Sequence, residues 1–279
     1  MKILVLDLYH HPRDLAQTDM YYALRDYYED DIIFANKKNI FEFVKRDNYD
    51  FLYLGIYHPW CGLSKVELEK LIEINKKSII IDQADNDGFI ARISRKNIYP
   101  ENSILLSRYL PDEKLSKRWK GKLISFPWYI NPDRFVPQEK TIDVSFVCMM
   151  NIKRIGTNRK KMSLDIKNYC EKNLLSYKIG ENFKDYNDII TKSKVMIIDG
   201  SRHCLTQKYI EATLSNCIIV GEKPISPPNN FIIQKLESIN KNTINSFNSE
   251  IEFNKKYVLE EFSNKEKLLH NFKNIFTNF

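Results

Sequence analysis

Glycine is scarce in this chain: there are 8 in 279 residues, and none in "LDLYHHPRD" (6 to 14). That excludes a glycine-rich phosphate loop directly after the first apolar run. The five cysteines, Cys61, Cys148, Cys170, Cys204 and Cys217, are scattered and odd in number, and no two stand at CxxC spacing. Neither a disulfide framework nor a zinc site is suggested, and the thiols read as reduced and packed. No uninterrupted apolar run reaches the roughly 20 residues a bilayer crossing needs. The opening "MKILVLDLYHHPRD" is too short in apolar residues for a signal h-region and reads as a core strand. A cytoplasmic chain is expected. No solenoid-length repeat, low-complexity tract, zinc finger or RNP motif occurs, so no specific nucleic-acid partner is expected.

What is present suits a folded protein. Hydrophobic residues make up 43% and aromatics 13%, enough to bury substantial cores. The length suits two domains of about 130 residues each better than one core. The net charge of +7 is spread along the chain. Its densest group, "IKRIGTNRKK" (152 to 161), reads either as a solvated face or as a surface for phosphates, nucleic acid or an anionic membrane.

Short β-rich runs alternate with helical patterns. Strands are expected near 2 to 8, 31 to 35, 50 to 56, 78 to 83, 103 to 107 and 122 to 126. Helices fall between them, near 18 to 28, 38 to 47, 64 to 76 and 112 to 118. Ser64 is a natural cap, with Glu67 three residues on. Then "FPWYINPDRFVPQEKT" (126 to 141) breaks the pattern with three prolines and reads as an interdomain linker. Alternation resumes with strands near 143 to 148, 176 to 180, 194 to 199 and 217 to 221. Helices are expected near 158 to 174, 183 to 193 and 205 to 216. In the tail, Leu268, Leu269, Phe272, Ile275, Phe276 and Phe279 share one helical face, suited to packing on the body.

The reading is α/β, with two Rossmann-like doubly wound domains facing a cleft. The expected division is residues 1–130, residues 131–260 and a closing helix over 261–279. Ligands of such folds sit beyond the C-terminal ends of the strands. His10, His11, His58 and His203 each follow an expected strand.

The order "FPWYINPDRF", "DVSFVC", a basic helix start, "SYKIGENFKDYNDIITKSKVMI" and "LTQKYIEATLSNCIIVGEKP" resembles the GT-B glycosyltransferases. Within them it is similar to the group related to the spore-maturation protein CgeB and to glycosyltransferase family 1 and 4 C-terminal domains. The likeness covers about residues 126 to 224. It implies a nucleotide-sugar donor, with Glu211 accepting from ribose hydroxyls and Lys208 meeting the diphosphate one turn earlier. Thr206, Gln207 and the amides near Leu205 to Lys208 would add donors at the helix start. His203 stands eight residues before Glu211, where many relatives carry a second glutamate. Arg154, Arg159 or Lys160, with Arg159 foremost, would supply a second cation. Gly180 would let a base or ribose approach the backbone; a plain strand-end turn is its other reading.

Inverting transfer needs a base for the acceptor hydroxyl. His11 or Asp14 is the candidate, with Asp85 as an acceptor or catalytic contact and His10 and His58 as acceptor contacts. "DQADNDGF" looks like a calcium loop but lacks its terminal glutamate. No metal and no other cofactor is expected, the activated sugar diphosphate being a substrate. The acceptor would be a saccharide or a lipid-linked saccharide in cell-surface polysaccharide synthesis, with the basic surface suiting peripheral contact with the anionic inner membrane face. The competing readings are a transferase using phosphoribosyl diphosphate, a nucleotide-sugar epimerase, and an inactive GT-B-like partner that binds nucleotide or glycan.

Overall fold

The structure is a computed structural model. It describes residues 1–6, 15–56, 63–83, 99–107, 119–148, 156–180, 185–199, 206–224 and 230–277. The chain divides into two compact units, one of Met1–Tyr129 with Lys265–Phe279 and one of Ile130–Asn264.

The first unit holds six strands: β1 (Ile3–Leu6), β2 (Ile32–Ala35), β3 (Phe51–Ile56), β4 (Ser78–Gln83), β5 (Ile104–Ser107) and β6 (Lys122–Ser125). They form one parallel sheet in the order β2-β1-β3-β4-β5-β6. The central strands are apolar at both alternations because both faces are covered. Leu4, Leu52, Ile79, Ile81 and Leu105 pack with helices α2 (Ile40–Arg46) and α3 (Lys65–Ile74). Ile3, Val5, Tyr53, Ile80 and Leu106 pack on the other face with α1 (Leu15–Tyr28). The α3 start is a complete capping box: the Ser64 hydroxyl accepts from the Glu67 amide at 3.2 Å, and Glu67 accepts from the Ser64 amide at 2.5 Å. Those bonds hold the Glu67 carboxyl down at about 2.

The second unit has strands β7 (Ile142–Val147), β8 (Tyr177–Gly180), β9 (Ser193–Ile198) and β10 (Ile218–Gly221), parallel in the order β10-β9-β7-β8. Helices α4 (Gly156–Lys172), α5 (Tyr186–Thr191) and α6 (Gln207–Leu214) connect them. Thus β8 lies on one side of β7 while β9 and β10 lie on the other. The winding direction reverses between β7 and β9. Both long connections stop in the same way, with 6→1 and 5→2 bonds closing the helix. In α4 they are Leu175 N to Cys170 O and Leu174 N to Glu171 O; in α6, Cys217 N to Ala212 O and Asn216 N to Thr213 O.

The division between the two units falls inside the segment 126 to 141, between Tyr129 and Ile130, and the segment is packed: Phe126, Trp128, Tyr129, Ile130 and Phe135 are all buried. Pro132 opens a short 3-10 turn, Pro132–Phe135, which Asn131 caps by accepting from the Asp133 amide at 3.1 Å. A helix that hydrophobic periodicity did not reveal, α7 (Asn248–Glu261), also packs in the second unit. The tail helix α8 (Lys265–Thr277) lays Leu268, Phe272, Ile275 and Phe276 on the first unit's core.

Candidate functional site at the switch point of the second sheet

In an open parallel sheet, helices on either side of a winding reversal diverge from the strand ends and leave a crevice. In the second unit that place lies beyond the C-terminal ends of β7 and β9. Three charged side chains meet there from three elements. Arg159, in the first turn of α4, donates from Nε to Asp199 Oδ2 at 2.5 Å. Asp199 directly follows β9. Lys208, in the first turn of α6, donates from Nζ to the carbonyl of Val147, the last residue of β7, at 2.7 Å. Its ammonium lies 3.9 Å from Asp199 Oδ1.

These side chains are withdrawn from solvent, Arg159 and Asp199 at 12% exposure and Lys208 at 26%. Burial pushes the Lys208 pKa down, and Asp199 is the main influence raising it again. An ammonium has three donors, and Lys208 makes one hydrogen bond among the described residues. Thr206, the N-cap of α6, sits in an extended conformation with its hydroxyl shielded from solvent and without a hydrogen-bond partner among those residues. Cations, an unmatched hydroxyl and a helix N-terminus are groups chemically suited to an anion.

One turn further along α6, Glu211 is buried at 5% exposure. Its Oε2 accepts a 2.6 Å hydrogen bond from the hydroxyl of Tyr186, the first residue of α5. Tyr209 of the same helix donates to the Glu222 carbonyl at 2.6 Å, tying the chain after β10 to α6. Gly180 ends β8 at φ +148, and a side chain built on it would meet open space. Gly221 ends β10 at φ +150, where a Cβ would lie 2.4 Å from the Ile198 carbonyl oxygen.

Of the residues singled out from sequence, Arg159, Thr206, Lys208 and Glu211 therefore lie on the two helices that flank the switch point. Gln207 opens α6 and is partly buried, Lys160 is exposed on α4, and Gly180 stands at the end of β8. His10, His11, Asp14, His58, Asp85, Arg154 and His203 lie outside the described residues. Asp199 and Tyr186 were not anticipated. A carboxylate ending the apolar run "KVMIID" at a switch point was the signal available for Asp199; nothing local pointed to Tyr186.

Solved structures match this architecture from end to end. HepE of Anabaena, in complex with UDP-glucose, matches over 100% of both chains with a TM-score of 0.65 at 9% identity. The same protein with UDP gives 0.63 at 9% identity. Sucrose-phosphate synthase of Thermosynechococcus elongatus gives 0.58 at 11% identity, again over 100% of both chains. The fold is GT-B. No family model and no curated protein matches the sequence. Within this GT-B chain, no group of three His, Cys, Asp or Glu side chains is placed to hold a metal ion among the described residues. No helix among them is long and apolar enough to cross a membrane.

Proposed function

We propose that the chain is a glycosyltransferase that moves a sugar from a nucleotide-sugar donor to a saccharide or lipid-linked acceptor. In this reading the donor diphosphate lies at Arg159 and Lys208, the ribose hydroxyls meet Glu211, and the base passes close to Gly180. The observation that carries it is at the start of α6: unmatched Lys208 and Thr206 donors stand one turn before a buried carboxylate. That spacing suits a ligand with an anionic and a polyhydroxyl end. The GT-B fold, shared with a protein crystallised with UDP-glucose, supports the same reading.

Chemically, the acceptor hydroxyl loses its proton to a base, His11 or Asp14, as its oxygen bonds to the sugar's anomeric carbon. The bond from that carbon to the phosphate oxygen breaks, and a nucleoside diphosphate leaves. Arg159, Lys208 and the α6 amides neutralise the charge that gathers on the departing phosphate, so no metal is needed. His10, His58 and Asp85 would hold the acceptor. The likeness to the CgeB-related group, the basic surface and a role in cell-surface polysaccharide synthesis at the cytoplasmic membrane face belong to the same proposal.

The test is calorimetric titration with UDP, other nucleoside diphosphates and phosphoribosyl diphosphate, on wild type and Glu211→Gln, followed by turnover assays with sugar nucleotides. Saturable binding of one nucleoside diphosphate, weakened by Glu211→Gln, supports the donor site. Response to phosphoribosyl diphosphate alone would replace the donor class. Binding without sugar transfer or hydrolysis would make the chain a nucleotide-binding partner.

A further inference from the structure

Both oxygens of Asp199 face cations. Oδ2 takes the Arg159 Nε–H at 2.5 Å, and Oδ1 lies 3.9 Å from the Lys208 ammonium. We propose that Asp199 is a positioning residue for the anion site, its carboxylate holding the Arg159 guanidinium and the Lys208 ammonium side by side for a diphosphate. This rests on the donor-site reading above and names the residue that assembles it.

The three side chains come from α4, the tip of β9 and α6, so the sheet edge alone does not bring the cations together. Two positive charges converging on one crevice repel each other. A carboxylate shared between them removes that repulsion and orders both before ligand arrives, which lowers the cost of binding. The contact to Arg159 runs through Nε. Two cations against one carboxylate keep a net positive charge.

Asp199 also acts on the protonation of Lys208. The charged and titratable groups facing that ammonium are Asp199 from β9, Cys148 after β7, Arg159 from α4 and Glu211 from its own helix. Burial and Arg159 disfavour its charge; Asp199 is the largest influence favouring it. The opposing role for the carboxylate is repulsion of an incoming diphosphate. Removing the side chain and removing only its charge separate the two.

The experiment is calorimetric titration of the full chain with UDP and, separately, inorganic pyrophosphate. It compares wild type, Asp199→Ala and Asp199→Asn over a pH series that runs upward from neutral, because burial lowers the Lys208 pKa. Asp199→Ala is expected to weaken both ligands by about tenfold or more. Asp199→Asn, which still accepts from Arg159, is expected to stay within about threefold of wild type near neutrality. Its affinity then falls away at lower pH than wild type, because Lys208 loses its proton sooner. Affinity in Asp199→Ala equal to or above wild type overturns the proposal, as does an Asp199→Asn pH profile superimposed on wild type. If Asp199→Ala does not fold, that profile decides alone. Pyrophosphate binding that depends on Asp199, with no UDP binding, keeps the role of Asp199 and overturns the nucleotide reading. Wild type that binds neither ligand overturns both.

Discussion

The hydroxyl of Tyr186 donates a 2.6 Å hydrogen bond to the buried carboxylate of Glu211, joining the first residue of α5 to the middle of α6. A carboxylate in this setting needs donors to stay ionised, and a bond to a charged acceptor contributes more than a neutral one. Tyr186→Phe is expected to lower unfolding free energy by about 1–2 kcal/mol in urea titrations. Burial first, then the charge of Glu211 and the hydrogen bond to it, raise the Tyr186 pKa well above its ordinary 10.0. This contribution is therefore complete below about pH 10 and is lost as pH climbs from there through the folded-state value. The alkaline decline in stability should be shallower in Tyr186→Phe, measured as the urea midpoint against pH.

Asp143, at the opposite end of the same sheet, anchors a different cluster. Its carboxylate accepts from Lys194 at 3.0 Å, Lys241 at 2.8 Å, and the Ser176 amide and hydroxyl at 2.9 Å and 3.0 Å. Burial works to raise its pKa, but Lys241, the Ser176 amide, Lys194 and the Ser176 hydroxyl together hold it well below the usual carboxylate range. The stability this contributes is present above pH of about 4 and is lost as pH falls through the folded value. Because both lysines are partly exposed, Asp143→Asn should cost only about 2 kcal/mol near neutrality. The gap between the two proteins should narrow on acidification, read from urea unfolding at neutral and acid pH.

How far such features could be read from sequence depended on whether local pattern or distant partners determine them. The strands were legible because most are short apolar runs flanked by polar turns, and burial on both faces makes the run continuous, as in "FLYLGI" of β3 and "IIVG" of β10. Helix α7 was not. Its buried face carries Asn254, which accepts from the Ile232 amide at 2.7 Å and donates to the Ile232 carbonyl at 2.8 Å, while Phe253 and Leu259 are exposed. That inversion erases the amphipathic signal. The proline-rich segment before β7 showed its break in pattern but not its packing: its aromatics are anchors, and prolines report backbone shape without reporting burial. At the site, Asp199 ended a run that read simply as strand. Tyr186 reaches across 25 positions of sequence to its partner, a contact no local pattern announces.

Helix α4 ends on Leu174, which takes the left-handed conformation at φ +54 with its side chain 80% exposed. An L side chain is strained there, and this leucine buries little to offset the strain. Leu174→Gly is expected to stabilise the protein by about 0.5–1 kcal/mol, after allowing for the extra freedom of glycine in the unfolded chain. Thermal unfolding should show a higher midpoint, with ligand binding unchanged because this end of α4 lies away from the switch point.

The two glycines that end β8 and β10 share a backbone conformation but not an environment, and that difference separates a packing role from a ligand role. Both have φ near +150, so alanine is strained at either position. At Gly221 the added Cβ would also lie 2.4 Å from the Ile198 carbonyl oxygen, a collision with backbone that the parallel pairing of β9 and β10 cannot relieve. At Gly180 the added Cβ would meet nothing within 4 Å. Gly221→Ala should therefore destabilise by about 3 kcal/mol or more, and Gly180→Ala by about 1–2 kcal/mol. If a donor base passes over β8, that new methyl occupies its space, and Gly180→Ala should lose about tenfold or more in UDP affinity while remaining folded. Calorimetry on the folded variant decides: full affinity would leave Gly180 as a strand-end turn and move the base-binding surface elsewhere along the sheet edge.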